Sequence, residues 1–171
     1  MFPATIRTQR LDLRRLSDVV GALDQYEFTG RSDTIAEETR HMGWEPHETP
    51  KETVDFHERA DERWESGEGA VYAVVPREGE DGAGTFAGTT GLHPDWDRRS
   101  AGLGIWLRKP YWGRGYSGER AGALLDLAFD RLDVDLVHVE HRVDNERSRR
   151  AVEKYVERFG GRHEGVLRNG L

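Results

Sequence analysis

Apolar residues alternate with polar ones over several short stretches of the chain. Between residues 10 and 16, Leu11, Leu13 and Leu16 are separated by charged neighbours, which predicts an amphipathic strand. The same pattern, bounded by glycine, proline or charged turns, predicts strands over 71–75, 85–92, 102–107 and 136–143, with a last strand starting at 162–166. The three central strands follow one another closely and are predicted to form an antiparallel meander.

Longer segments have helical spacing. A first helix is predicted over 18–28 with Ser17 as its N-cap. A second starts with the capping-box sequence at 49–52 and runs to about Ser66. A third is predicted over 117–132, and a fourth begins at Asn145 and ends at Gly160 and Gly161. The order β, α, α, β, β, β, α, β, α, β predicts a mixed α+β (α/β) fold.

Composition limits the possible functions. The 171 residues fit one domain, 1–171, and the absence of cysteine excludes a disulfide framework, a thiolate metal site and a cysteine nucleophile. The formal charge of −7 opposes binding to nucleic acid or to an anionic membrane surface. Since no segment has the apolar length of a signal peptide or a membrane span, we expect a soluble cytoplasmic protein.

A glycine-rich loop, Gly-Arg-Gly-Tyr-Ser-Gly at 113–118, separates a predicted strand from a predicted helix. Free backbone N–H groups and the positive helix end at such a loop favour an anion, most naturally a phosphate. The loop also matches the dinucleotide motif G-x-G-x-x-G, with Glu140 placed 22 residues after Gly118. That motif should follow its strand directly, whereas residues 108–112 intervene. A tight turn that only brings helix and sheet together is the remaining alternative.

Four ordered blocks resemble the RimJ/RimL branch of the GNAT acetyltransferase superfamily. They are TQRLDLR at 8–14, GTTGLH at 88–93, GIWL with YWGRGY and Glu119 over 104–119, and Asn145, Ser148 and Glu153-Lys154. The resemblance implies a three-layer fold whose central, mostly antiparallel mixed sheet is flanked by helices, with the fourth and fifth family strands splayed apart. The chain departs from the family pattern at Trp112, at Ser117 and in a connection over 155–163 that is about four residues longer, roughly one helical turn.

The implied activity is direct transfer of an acetyl group from acetyl-CoA to a primary amine in a ternary complex, without a metal. The resembling branch favours a protein N-terminal α-amine as acceptor. A small-molecule amine, or a non-catalytic acyl-CoA-binding module, is left open. The family usually continues through one more strand after the position of Leu171. Either that strand is absent, or the sheet edge is completed differently, and an unpaired edge would favour a homodimer.

The resemblance also assigns site residues. The backbone amides of five loop residues would hold the pyrophosphate, namely Arg114, Gly115, Tyr116, Ser117 and Gly118. The pantetheine arm would lie along the edge of the fourth family strand, at Ile105, Trp106 and Leu107, where a backbone N–H would stabilise the oxyanion. Asn145 would bind the pantetheine amides.

Ser148 is the expected acid for the departing thiolate, with Tyr155 as its substitute seven residues along the same helix face. Glu140 and His93 are the candidate general bases, and a water relay is a third route. The loop that contains His41, His47 and Trp44 is expected to frame the acceptor rather than to bind zinc.

Overall fold

The computed structural model describes residues 1–168 and contains one six-stranded sheet in chain order. Its strands are β1 (Thr5–Arg7), β2 (Leu11–Arg15), β3 (Ala70–Pro76), β4 (Gly88–Asp95), β5 (Ser100–Leu107) and β6 (Leu136–Val139). All neighbouring strands are antiparallel except β5 and β6, which are parallel. The antiparallel meander and the mixed sheet are therefore confirmed, and a doubly wound dinucleotide fold is excluded.

Helices cover both faces of the sheet. They are α1 (Ala22–Thr29), α2 (Ile35–Thr39), α3 (Pro50–Ser66), α4 (Tyr116–Asp126) and α5 (Glu146–Arg158). Successive residues of β3 enter different cores: Tyr72 and Val74 pack with residues of α4 and α5, whereas Ala73 and Val75 pack with residues from the α1–α3 region. This alternation follows from the twofold period of a strand. The predicted three-layer arrangement is confirmed.

Most helix boundaries agree with the sequence prediction. The capping box of α3 forms as expected between Thr49 and Glu52, and Asn145 caps α5. The first helix is a correction, because it begins at Ala22 after Gly21 rather than at Ser17. Ser17 lies in a short 3₁₀ turn, and its hydroxyl donates to Asp61 at 2.8 Å, so it is not free to cap a helix.

Three further corrections concern short elements. Strand β1 and helix α2 were not predicted, since each is too short to show a clear period. The strand predicted over 85–92 begins only at Gly88. The strand predicted at 162–166 is wrong, because this segment is exposed coil and does not pair with the sheet. Its charged residues bond locally instead, as between Arg162 and Glu164.

Strands β5 and β6 separate halfway along β5. Ser100–Leu103 pairs with Leu136–Val139, but residues 104–107 pair only with β4. Strand β6 ends at Val139, earlier than the predicted residue 143, so the separation begins where β6 stops. These are the fourth and fifth strands of the family pattern, and their predicted splay is confirmed. Across residues 1–168, no helix is both long and apolar enough to cross a membrane.

Candidate active site

The glycine-rich loop presents a row of free backbone amides. Within residues 1–168, no protein acceptor receives a hydrogen bond from the N–H groups of residues 113–118. Gly113 (φ 76°) and Gly115 (φ 78°) adopt left-handed conformations that other residues rarely take, and Gly115 is the N-cap of α4. Successive amides at such turns, together with a helix N-terminus, bind anions. The geometry fits a phosphate group here.

The only carboxylate in the first turn of α4 is neutralised by residues of the β1–β2 turn. One Glu119 oxygen accepts hydrogen bonds from the Thr8 hydroxyl (2.6 Å) and the Arg10 N–H (2.7 Å), and the other accepts from Arg10 Nε at 2.7 Å. Arg10 Nη1 also donates to the Arg114 carbonyl at 2.9 Å. Burial opposes ionisation of Glu119, but the bonds from Thr8 and Arg10 outweigh it and lower its pKa. Arg10 and Glu119 thereby fix the loop.

Cationic side chains near the loop are already bound to protein groups. The Arg114 guanidinium donates to the Asp81 carbonyl (2.8 Å) and carboxylate (3.1 Å), and Lys109 pairs with Glu37. Arg108 donates to the Phe86 carbonyl at 2.7 Å. The main chain at Arg114 remains free even though its side chain is not. Backbone amides, rather than these cations, therefore form the anion site.

The open half of β5 exposes alternate backbone groups. Arg108 N–H donates to the Ala87 carbonyl on the β4 side, while the Leu107 carbonyl faces the open side and accepts from Trp112 Nε1 at 2.7 Å. Since backbone direction alternates along a strand, Ile105 shares the open side with Leu107. The backbone of Trp106 faces β4, and its side chain is buried among α1–α3 residues. Of the three predicted edge residues, Ile105 and Leu107 reach the open edge.

The first turn of α5 carries Asn145 and Ser148. Asn145 Oδ1 accepts the Ser148 N–H at 3.1 Å, so the asparagine oxygen serves as the helix cap. The Ser148 side chain is half-buried, and its hydroxyl forms no hydrogen bond with any group of residues 1–168. Ser148 is therefore free to bond a ligand, as is the Asn145 amide nitrogen. The roles predicted for both remain predictions.

Tyr155 lies two turns further along α5 and is 4% exposed. Its ring packs against the first turn of α4, since a Cβ built on Gly118 would lie 3.5 Å from the Tyr155 Cβ. Burial raises the pKa of its phenol, and the hydroxyl has no hydrogen-bond partner in the described part of the chain. The structure thus places Tyr155 in the core between α4 and α5, deeper than Ser148.

A cavity of about 320 Å³ lies on the opposite face of the sheet, between α1–α3 and strands β4 and β5. It reaches the backbone of Gly104 and Ile105 at the start of the open half of β5. Its walls are mainly apolar and aromatic, with polar groups from His47, His93 and Thr89. Such a lining is typical of a small-molecule or side-chain pocket.

His93 occupies the floor of this cavity. A Cβ on Gly91 would lie 2.4 Å from His93 Nε2, and one on Gly104 would lie 3.8 Å from the same atom. The absence of a side chain at Gly91 therefore leaves the space that the imidazole fills, next to Gly104 on β5. Burial, and then the nearby Arg63, lower the pKa of His93, which keeps it neutral near pH 7. Glu140 is exposed beyond β6 and lines neither cavity, so the structure does not bring it to this pocket.

An acidic cleft of about 390 Å³ adjoins the cavity and shares Trp44, His47 and Arg59 with it. Four carboxylates line the cleft, from Glu45, Glu48, Glu52 and Asp55. His47 Nδ1 lies 2.7 Å from the Thr53 hydroxyl, and burial lowers the pKa of this histidine. The loop with Trp44 and His47 thus frames a negatively charged entrance, and its role toward the acceptor stays a prediction.

Comparison with known families decides the family of this fold. A family model described as an acetyltransferase (GNAT) domain matches residues 10–155. The chain belongs to the GNAT acetyltransferase family. Its predicted family is thereby confirmed, and membership implies acetyl-CoA as the cosubstrate. The free amides of residues 113–118 and the open edge of β5 fit the diphosphate and the amide-bearing arm of that molecule.

Relatives of this GNAT chain support the RimJ/RimL-like branch. The Bacillus subtilis (strain 168) protein YdaF, whose name assigns it provisionally to the ribosomal N-acetyltransferases, is 34% identical over 89 residues. That region is 52% of this chain and 46% of YdaF, so less than half of the relative is matched.

Solved structures share the fold over more of the chain. An acetyltransferase structure from T. thermophilus is 26% identical, with a TM-score of 0.74 over 100% of this chain and 82% of the other. RimL, described as the ribosomal L7/L12 alpha-N-protein acetyltransferase, shares the fold at 20% identity, with a TM-score of 0.71 over 88% of this chain and 78% of RimL.

Sequence reasoning missed two features of the site. The Arg10–Glu119 brace joins residues 109 positions apart, and nothing local signals such a pair. Gly91 and Gly104 are isolated glycines inside strands, a pattern that often marks a close approach. That signal would have pointed to the space for His93, and therefore to His93 ahead of Glu140.

Proposed function

We propose that this protein is an acetyl-CoA-dependent N-acetyltransferase that acetylates the α-amine of a protein N-terminus by direct attack in a ternary complex. The observation that carries the proposal is the position of His93. Its imidazole lies beside Gly104 at the start of the open half of β5, within the cavity that also contains the backbone of Ile105. The base is thus next to the open half of β5, whose edge carries the Ile105 N–H, and the anion site follows β5 in the chain.

Each step of the transfer has a group suited to it. His93, neutral near pH 7, accepts the proton of the acceptor ammonium directly or through one water. The amine nitrogen then bonds to the thioester carbonyl carbon, and the Ile105 N–H donates to the resulting oxyanion. As the C–S bond breaks, the Ser148 hydroxyl gives its proton to the sulfur and regains one from the attacking nitrogen, directly or through water, while protonated His93 releases its proton to solvent. The products are an acetamide and free coenzyme A.

The acceptor side favours a cationic, extended substrate. A protonated amine is attracted by the carboxylates of Glu45, Glu48, Glu52 and Asp55 at the entrance. The cleft adjoins the apolar cavity, and its four carboxylates outnumber Arg59, the cation that lines both, which suits a chain that enters amine first. The names of YdaF and RimL, which refer to ribosomal N-acetyltransferases, agree with a protein N-terminus.

Labelled acetyl-CoA, incubated with N-terminal peptides and with small amines, tests the proposal. We expect label on the α-amine of peptides, and no transfer when that amine is blocked beforehand. Transfer only to small amines would instead indicate a small-molecule acetyltransferase. Coenzyme binding without transfer to any acceptor would indicate a binding module and would refute the proposed function.

A further inference from the structure

Arg120 is a fully buried arginine without a counter-charge. Its exposed fraction is 0%, and Nε, Nη1 and Nη2 are all buried without a hydrogen-bond partner among residues 1–168. No carboxylate of the described residues lies within ion-pair distance of it. An unpaired buried charge is costly, because neither water nor protein compensates it. Such a residue is seldom retained for packing alone.

The position of Arg120 links it to the anion-binding loop. It is the fifth residue of α4, and helical side chains lean toward the helix N-terminus, which here is the loop. Its guanidinium carbon lies 5.8 Å from the centre of the Tyr155 ring, and that ring packs against Gly118. Arg120 therefore lies on the buried face of α4, about one helical turn from the residues whose amides are free.

Protein groups near Arg120 do not complete its coordination. The Tyr155 phenol interacts with the cation, but a neutral hydroxyl supplies no counter-charge. Burial lowers the pKa of Arg120, yet a guanidinium ordinarily stays ionised in proteins. The nearest carboxylate of the loop, Glu119, is already held by Arg10 and Thr8.

We propose that Arg120 is a positioning residue for the coenzyme, and that the diphosphate bound at residues 113–118 is the counter-charge of its buried guanidinium. This inference rests on the proposed function. The cation adds to the positive potential of the loop amides from the buried side of α4, where water does not screen it. In the free protein the same charge is uncompensated and destabilises the fold. Removal of the Arg120 charge should therefore weaken coenzyme binding and raise the stability of the free protein.

Substitution of Arg120 in the full chain tests the proposal. Arg120→Met removes the charge but keeps an unbranched apolar side chain, and Arg120→Lys substitutes an ammonium group, which burial neutralises far more readily than a guanidinium. Arg98→Met is the matched control, because the Arg98 side chain is 83% exposed on the β4–β5 turn. Calorimetry would give the Kd for coenzyme A, and thermal unfolding the Tm with and without it.

For Arg120→Met we expect a Kd about tenfold higher, together with a higher Tm of the free protein. Arg120→Lys should bind more weakly than wild type at high pH and regain affinity as pH falls, because protonation restores its charge, and Arg98→Met should change neither quantity. The KM for acetyl-CoA should rise in Arg120→Met while kcat changes little, as expected for a residue that acts on coenzyme binding.

Other results would overturn the proposal. A lower Tm with an unchanged Kd would make Arg120 a structural residue. A lower kcat with an unchanged Kd would mean that it acts on Tyr155 instead. If Arg120→Met does not fold, a Kd of Arg120→Lys with the same pH dependence as that of wild type would refute the charge argument. If the wild type itself did not bind coenzyme A, the proposed function would be refuted as well. If the wild type binds coenzyme A, the variants test the role of Arg120 alone.

Discussion

Arg10 in the β1–β2 turn and Glu119 in the first turn of α4 form an ion pair of 2.7 Å that ties the anion-binding loop to the edge of the sheet. The same arginine holds the Arg114 carbonyl and lies over the Tyr116 ring, 5.2 Å from its centre. Glu119 would otherwise place a free carboxylate beside the amides that receive the phosphate. The pair therefore both fixes the loop and neutralises a charge that would repel the ligand.

Arg10→Met is expected to weaken coenzyme A binding and to lower the free energy of unfolding by about 1–3 kcal/mol, because it leaves the half-buried Glu119 carboxylate unpaired. Adding Glu119→Gln should restore part of the affinity by removing that charge. Calorimetry and denaturant unfolding of both single variants and the double variant would measure the coupling. A double variant that binds no better than Arg10→Met would contradict this account.

Ser148→Ala should lower kcat by about 10²-fold with little change in the Kd for coenzyme A, since a general acid acts mainly in the transition state. Tyr155→Phe should have a small effect alone, because the buried phenol lies two turns deeper. Steady-state rates of the single and double variants would show whether Tyr155 substitutes for Ser148. The exposed Ser66, at the end of α3, provides the control Ser66→Ala. Full activity of the double variant would refute the acid assignment.

His93 should determine the acid limb of the pH profile of kcat/KM. Burial and Arg63 lower its pKa, so the neutral base persists to lower pH than for an ordinary histidine, and activity falls only below about pH 6.5. His93→Gln should reduce kcat/KM by about 10²-fold and abolish that limb. Glu140→Gln is the matched control and should leave both unchanged. A loss of activity and of the acid limb in Glu140→Gln, with neither change in His93→Gln, would make Glu140 the base.

Gly91→Ala should displace His93 and reduce kcat, because the added methyl group would come within 2.4 Å of His93 Nε2. Gly104→Ala should be tolerated far better, since the corresponding distance is 3.8 Å, an ordinary van der Waals contact. Rates and Tm values of the two variants would separate displacement of the base from loss of stability. Equal rates in the two variants would argue against the position assigned to the imidazole.

Acid should destabilise the fold through buried histidines. Burial lowers the pKa of His47, His57 and His93, so the unfolded chain takes up more protons below the ordinary histidine pKa of about 6.5. Their contribution to stability is complete above that value and is lost as pH falls through their folded-state pKa values.

Tm should therefore decrease from pH 7.5 towards pH 5.5. His57→Gln should reduce the slope of Tm against pH, whereas substitution of the exposed His163 by Gln should not. A Tm that does not depend on pH over this range would contradict the assignment.

The amino-acid sequence by itself determined the order of the longer elements, the capping of α3 and α5, and the glycine loop. These features depend on neighbours within about one helical turn or one strand, so periodicity and turn residues reveal them. Short elements such as β1 and α2, and the true start of α1, were not predictable in this way. Their boundaries depend on contacts made far along the chain, such as that of Ser17 with Asp61.

Only the tertiary structure decided which candidate residues meet. It brought His93 to the open half of β5 and left Glu140 in solvent. It also turned the Trp106 backbone toward β4 and buried Arg120 on the inner face of α4. The glycines of the loop are visible in the sequence because φ is a local property. The brace of Arg10 on Glu119 is not visible in the sequence, because it forms only when a turn and a helix distant in sequence pack together.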